Sequence, residues 1–146
     1  MAQEEPLKAR YDVELSYNWT YGRISRFFRE LRDNKKIMGT RCPECKIVFC
    51  PPLSDCPKCY VPMEWVEVGP RGTIVAYSIS YVPALWIERK PPLPMALIKL
   101  DGADTSFLHY LGEIDLDKIA NDIQVEVVFN DERKGYITDI EYFRPI

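Results

Sequence analysis

Cys42-Pro43-Glu44-Cys45 and Cys56-Pro57-Lys58-Cys59 decide how this chain is read. The two Cys-x-x-Cys pairs stand ten residues apart, each with proline directly after its first cysteine. One such pair offers two thiolates to a tetrahedral ion, and a second pair completes a four-cysteine shell. The proline fixes φ, so each knuckle is partly shaped before a metal arrives. The spacer is shorter than the usual zinc-ribbon range, but it suits a compact ribbon of two tight turns. The competing readings are two disulfides or reduced structural cysteines. A fifth cysteine, Cys50, makes the count odd, and an odd count fits a disulfide framework poorly. Cys50 reads as a buried ribbon residue, since a free cysteine packs like a small hydrophobe. Its other reading is a substitute ligand. The expected cofactor is one structural zinc ion, although a tetrahedral thiolate shell also accepts iron. A shell of four protein ligands leaves no open position for water or substrate.

Outward from the knuckles, the chain divides into an N-terminal helical segment over 1–35, the ribbon over 36–62 and a β domain over 63–146. Residues 1–18 mix charge with aromatics and predict an irregular or short helical lead-in. Its Tyr11, Tyr17 and Trp19 are expected to cover apolar surface later in the chain. From Thr20, a candidate N-cap, to about Asn34 the period is helical. Ile24, Phe27, Phe28 and Leu31 fall at i, i+3, i+4 and i+7 and form one apolar stripe. Arg26 and Arg29 project away from that stripe, with Arg23 and Arg32 on its flanks. Within the ribbon, Ile47-Val48-Phe49 predicts a short strand ended by Pro51-Pro52.

Beyond Met63 the pattern turns to β. A long strand runs over 74–81 after the turn Gly69-Pro70-Arg71-Gly72. Val82 to Pro94 holds four prolines, Trp86 and Arg89-Lys90, and reads as a long loop of the kind that carries function. Strands follow at 95–100, 105–111, 123–129 and 136–143, with a helical turn capped by Asp115 before the third of them. Five strands, the first long and curved, with a short helical link late, predict a small OB-type barrel. A five-stranded sandwich is the alternative. The expected fold is therefore mainly β with N-terminal helices: a zinc ribbon followed by a five-stranded OB-fold barrel.

Charge and chemistry narrow the function. Tyr21 to Lys36 carries six cations against two anions, a net of +4 in a chain of net −3. Trp65 to Ile146 carries eight Lys or Arg against thirteen Asp or Glu, a net of −5. Polynucleotide binding needs concentrated Lys and Arg and, for single strands, aromatics interleaved with them. An acidic barrel offers neither, so nucleic-acid binding by a ribbon and OB fold stands as the alternative function. One histidine, His109, gives no Ser-His or Cys-His arrangement. No phosphate-binding glycine loop is present, and an enzyme is not expected. The favoured class is a binding module for a compact phosphorylated ligand or a protein partner. Guanidinium groups bind phosphate bidentately, which makes Arg23, Arg26 and Arg41, with Phe27, the candidate ligand contacts. No run of 18 apolar residues exists, so no membrane span is expected. The first six residues lack a signal pattern, and the expected location is the cytoplasm.

The order of parts is itself informative: Tyr21-Gly22 … Phe27-Phe28 … Leu31, then Lys36 through Cys45, then Pro51-Pro52 … Cys56 through Cys59, then Gly72-Thr73-Ile74. From about residue 17 to 143 this resembles the DUF35 family, whose members join N-terminal helices, a rubredoxin-like zinc ribbon and a C-terminal OB-fold. The resemblance implies that Cys42, Cys45, Cys56 and Cys59 are the metal ligands. It implies a non-catalytic, acyl-CoA-binding accessory subunit partnering thiolase-type enzymes. Archaeal members of the family are associated with acetoacetyl-CoA thiolase and hydroxymethylglutaryl-CoA synthase, bridging the two and helping to hold the CoA moiety. No sharp family motif marks the CoA contacts, so the arginines and Phe27 rest on physical argument alone.

Overall fold

The stripe of Ile24, Phe27, Phe28 and Leu31 forms as the spacing requires. The computed structural model describes residues 6–83 and 88–146, and in it Gly22–Ile24 is a single 3-10 turn leading into α1, Ser25–Asn34. Thr20 Oγ1 accepts from the Gly22 N–H at 3.1 Å, so Thr20 opens the 3-10 turn and the α-helix starts five residues later. Among the described residues one α-helix stands where the sequence suggested helices. Phe27 and Leu31 are fully buried. The helix ends at Lys35, whose φ of 54° is left-handed, and the Lys36 N–H returns to the Glu30 carbonyl at 3.2 Å. Arg133 Nε donates to the Arg32 carbonyl, in the last turn of the helix, at 2.8 Å.

Below the helix lies a three-stranded antiparallel sheet of β1 (Ile37–Arg41), β2 (Val48–Phe49) and β3 (Glu64–Val68), in the order β2-β1-β3. β3 follows the second knuckle in sequence, yet it pairs along its whole length with β1, from Ile37 opposite Val68 to Arg41 opposite Glu64.

The second sheet holds β4 (Arg71–Ser80), β5 (Leu93–Leu100), β6 (Ser106–Tyr110), β7 (Gln124–Phe129) and β8 (Ile140–Pro145), in the order β6-β5-β4-β7-β8. A parallel bridge between Leu111 and Phe143, with the Gly112 N–H donating to the Phe143 carbonyl at 2.9 Å, joins the outer strands. The sheet is thus closed as an OB barrel and is not a sandwich. β4 reaches both neighbours by bending. It pairs with β5 from Gly72 to Ser80 and with β7 only over Arg71–Thr73, and just past the β7 pairing Val75 is an extra residue between the Ile74–Ile98 and Ala76–Leu97 pairs, a bulge that bends the strand. Gly72 permits the close approach at the start of β4, where a Cβ would sit 2.5 Å from the Lys99 carbonyl oxygen.

Three expectations need correction. Residues 6–20 are the irregular lead-in of the two forms expected, but the expected cover fails: Tyr11 and Tyr17 are 86% and 77% exposed and cover nothing in the described chain. Only Trp19 meets an aromatic, edge-on to Tyr21 at 4.5 Å, while Tyr21 stacks on Phe28 at 3.8 Å. The proline-rich loop ends earlier than expected, because Leu93 and Pro94 already pair with Ser80 and Ile79; Trp86 lies outside the described residues. The final strand starts at Ile140, after a 3-10 turn over Ile137–Asp139. There the buried Asp139 carboxylate accepts from the Lys134 and Gly135 N–H groups at 2.8 and 2.7 Å, tying down the preceding loop.

Ribbon and barrel share one core. Ile74, Ile98, Leu100, Phe107, Val125, Ile140 and Phe143 fill the barrel, continuous with Phe27, Leu31, Ile37, Met38, Cys50 and Val68. The β5–β6 turn grips β2 directly. Val48 and Asp104 exchange two hydrogen bonds of 2.8 Å, and Thr105 Oγ1 both accepts from the Cys50 N–H and donates to its carbonyl. Among the described residues no helix is long and apolar enough to cross a membrane.

Candidate metal centre

The two knuckles are built alike. In the first, the Cys42 N–H bonds the Ile47 carbonyl at 3.0 Å, the Lys46 N–H bonds the Cys42 carbonyl at 3.1 Å, and the Cys45 N–H points at Cys42 Sγ at 3.4 Å. In the second, fourteen residues on, the Cys56 N–H bonds the Val61 carbonyl, the Tyr60 N–H bonds the Cys56 carbonyl, both at 2.9 Å, and the Cys59 N–H points at Cys56 Sγ at 3.4 Å. Lys46 and Tyr60, each one residue past a knuckle, both adopt left-handed φ, 65° and 56°. Each knuckle therefore turns the N–H of its second cysteine onto the sulfur of its first, an arrangement that stabilises a thiolate.

All four Sγ atoms lie within 4.8 Å of one another, and Cys45 and Cys56 are 3.7 Å apart. Thiolates at about 2.3 Å from a central zinc stand about 3.8 Å apart in a tetrahedron, so the cluster fits one ion. The sulfurs do not ionise alike. Burial works against the Cys42 thiolate, yet the N–H groups of Cys45 and Glu44 pull its pKa down to about 7. Burial and the neighbouring thiols push Cys59 up to about 12. An ion must displace protons to enter, and its charge then holds four thiolates together. Cys50 is not one of the clustered sulfurs. It is buried in the shared core, and burial pushes its thiol up to about 12.

The candidate ligand contacts are placed unequally. Phe27 is 2% exposed and packs in the core, so it has no face to offer a ligand; this corrects its selection as a contact. Arg23 is committed to the second knuckle, donating to the Ser54 carbonyl at 2.9 Å and Asp55 Oδ1 at 3.0 Å. Arg26 lies over the Trp65 ring at 5.7 Å and near Glu30 at 3.8 Å, its guanidinium half exposed. Arg41 is exposed at the end of β1, opposite Glu64 and one position from the Thr40–Trp65 pair. Successive residues of a strand face opposite sides of the sheet, so Arg41 points away from the side on which Thr40, Trp65 and Arg26 lie. Sequence reasoning missed Trp65 as the neighbour of Arg26, since only the pairing of β3 with β1 brings it beneath the helix.

The fold and the four-sulfur site define a protein that couples a rubredoxin-like zinc ribbon to an OB-fold barrel. Two models of consecutive domains match: "ChsH2, rubredoxin-like zinc ribbon domain" over residues 29–64 and "ChsH2, C-terminal OB-fold domain" over 65–130. The chain belongs to the DUF35 family. It is similar to a DUF35 domain-containing scaffold protein of Methanocaldococcus jannaschii, 27% identical over 84% of this chain and 91% of the relative. Its counterpart in Pyrococcus furiosus is 27% identical over 84% of this chain and 93% of the relative. Among solved structures, the fold is shared with a chain of an Ltp2-ChsH2(DUF35) aldolase, TM-score 0.69 at 22% identity, covering 88% of this chain and 98% of that one. It is also shared with a DUF35 protein of unknown function from Sulfolobus solfataricus, TM-score 0.64 at 21% identity, covering 86% and 87%.

Proposed function

We propose that this chain is a non-catalytic scaffold subunit that docks on a thiolase-type enzyme, with hydroxymethylglutaryl-CoA synthase as a second partner, and helps hold the CoA moiety of an acyl-CoA. The observation that carries the reading is the naming of its relatives as scaffold proteins, over most of both chains. The aldolase neighbour, whose name joins a DUF35 component to Ltp2, supports partnership with an enzyme. The site chemistry is consistent with this. A closed shell of four cysteines supplies rigidity and no reactive position. Arg26 and Arg29, both exposed on α1, with Arg41 exposed at the end of β1, are cations suited to a few phosphate groups. Trp65, beneath Arg26, adds an aromatic surface.

Titration calorimetry with acetoacetyl-CoA, on the metal-loaded chain alone and mixed with an acetoacetyl-CoA thiolase, tests the reading. Binding is expected, strongest in the mixture, and Arg26→Glu should weaken it about tenfold, as for loss of one charge-assisted contact. Silence in both titrations overturns the proposal.

A further inference from the structure

Tyr11-Asp12-Val13-Glu14-Leu15-Ser16-Tyr17-Asn18-Trp19 alternates large apolar and polar residues without a break. This is the period of a half-buried strand, and its composition is not that of a disordered linker. In the structure the segment has no strand partner, no backbone hydrogen bond ties it to the rest of the described chain, and all five apolar side chains are exposed. Its root is fixed. Trp19 meets Tyr21, Tyr21 stacks on Phe28, and Thr20 holds the first 3-10 turn. An anchored strand with one apolar side and nothing beneath it is half of an interface.

The other half is on the same chain. The outer face of β4, β5 and β6 carries Ala76, Leu97 and Leu108 in one row across the three strands, with Ser78, Met95 and Tyr110 in the next. Leu108 is 59% exposed and Leu97 40%. A hollow of about 180 Å3 opens between Ala76, Tyr77, Met95, Leu97 and Leu108. Within a domain of net −5, these three strands contain no Asp or Glu. Their cations are Arg71 and Lys99, and Arg89 sits over the Tyr110 ring at 4.7 Å. The tail strand has the opposite character, with Asp12 and Glu14 and no cation between Tyr11 and Trp19. Surfaces of opposite sign and shared apolarity favour one another.

Dimensions agree. Nine extended residues span about 30 Å, close to the length of the eight-residue β5. Three aromatics bury about 450–750 Å2, and Val13 and Leu15 add to this, approaching the roughly 800 Å2 per partner of a stable interface. We propose that the Tyr11–Trp19 strand of one copy lies, apolar side down, on the β4–β5–β6 face of a second copy, making the protein a self-associating chain through exchanged tails. This does not rest on the scaffold reading.

The test is sedimentation velocity of the full metal-loaded chain over a concentration series. Tyr17→Asp stands for the tail and Leu108→Asp for the face; both sites are exposed in the single chain, and metal content with near-ultraviolet circular dichroism checks that each variant folds. A reversible dimer is expected. Each variant should raise its dissociation constant about 30-fold or more, as for loss of a hot-spot residue. Mixing the two variants should restore association, because each supplies the half the other lacks. A wild-type monomer at every concentration overturns the proposal, including one whose tail amides are protected from hydrogen exchange, which would place the strand on its own barrel. A dimer that only one variant weakens overturns it as well.

Discussion

His109 is the one buried base of the barrel, and acid should find it. Its ring is stacked on Phe107 at 5.6 Å and lies edge-on to Phe143 and Tyr110 at 5.8 and 5.9 Å, with Nδ1 buried and without a hydrogen-bond partner. Burial lowers its pKa from 6.5 to about 4; hydrogen bonding to the backbone of Ile137 opposes the shift and the nearby Arg89 charge adds to it. A base whose folded pKa is depressed binds its proton more tightly when unfolded. Its stabilising contribution is therefore complete above about pH 6.5 and is lost as pH falls towards 4. A fall from 6.5 to about 4, at about 1.4 kcal/mol per pH unit, comes to about 3–4 kcal/mol. Urea unfolding followed by tryptophan fluorescence, in steps from about pH 7.5 to about pH 4.5, measures it. The comparison is His109→Phe, which keeps the aromatic stack and cannot charge. Metal loss and surface carboxylates act equally on both proteins and cancel in the difference. The wild type should lose ground to the variant at up to about 1.4 kcal/mol per pH unit below pH 6. Parallel stability curves would refute the assignment of a buried neutral imidazole.

Three further outcomes follow from the ribbon. Cys56→Ser, or chelation of the native chain, should abolish binding of one ion per chain and expose the β1–β3 amides to hydrogen exchange, since structural zinc supplies about 10–16 kcal/mol to small ribbons. Zinc titration in buffers of differing ionisation enthalpy should show release of about two protons or more near neutral pH, because Cys45 and Cys59 are both raised and must give theirs up. Thr40→Val keeps the volume but removes the hydroxyl of the buried Thr40, which donates to the carbonyl of the partly exposed Leu53 and accepts its N–H, both at 2.9 Å. Stranding two backbone groups should cost about 2–4 kcal/mol in urea unfolding; a loss under about 0.5 kcal/mol would mean that water reaches Leu53.

What could be read from the sequence was what depends on short spacing. The knuckles are closed by hydrogen bonds within five residues, so Cys42 to Ile47 and Cys56 to Val61 carry their own geometry. The α1 stripe was visible for the same reason. That stripe should also have excluded Phe27 as a ligand contact, because a residue counted in the apolar face cannot at the same time be presented to solvent. The aromatics of residues 11–19 were expected to find cover, and Tyr11 and Tyr17 find none in the described chain, because composition says nothing of where a covering surface lies. β3 was hidden differently. Glu64–Val68 has the same two-residue period whichever sheet it joins, and only its long-range pairing with Ile37–Arg41 decides. Asp139 looked like a strand residue because the loop it closes, through Lys134 and Gly135, precedes it and has no apolar pattern.

These misses share one cause, which bears on the metal. A ribbon read as a separate module would gain from its ion and leave the barrel indifferent. Here β2 is hydrogen-bonded to the β5–β6 turn through Asp104 and Thr105, Cys50 is packed in the common core, and Gly69 donates to the Asp101 carbonyl at 2.7 Å as the chain passes from β3 to β4. Removing the ion frees the two turns that hold β1 and β2 in place, and with them one side of the core that Leu31, Met38 and Val68 share with Leu100 and Ala103. The four sulfurs therefore act on the barrel as well as on the ribbon. They brace one of the two supports of the arginine-bearing helix, since α1 rests on β1, while its Arg32 carbonyl accepts from Arg133 of the barrel.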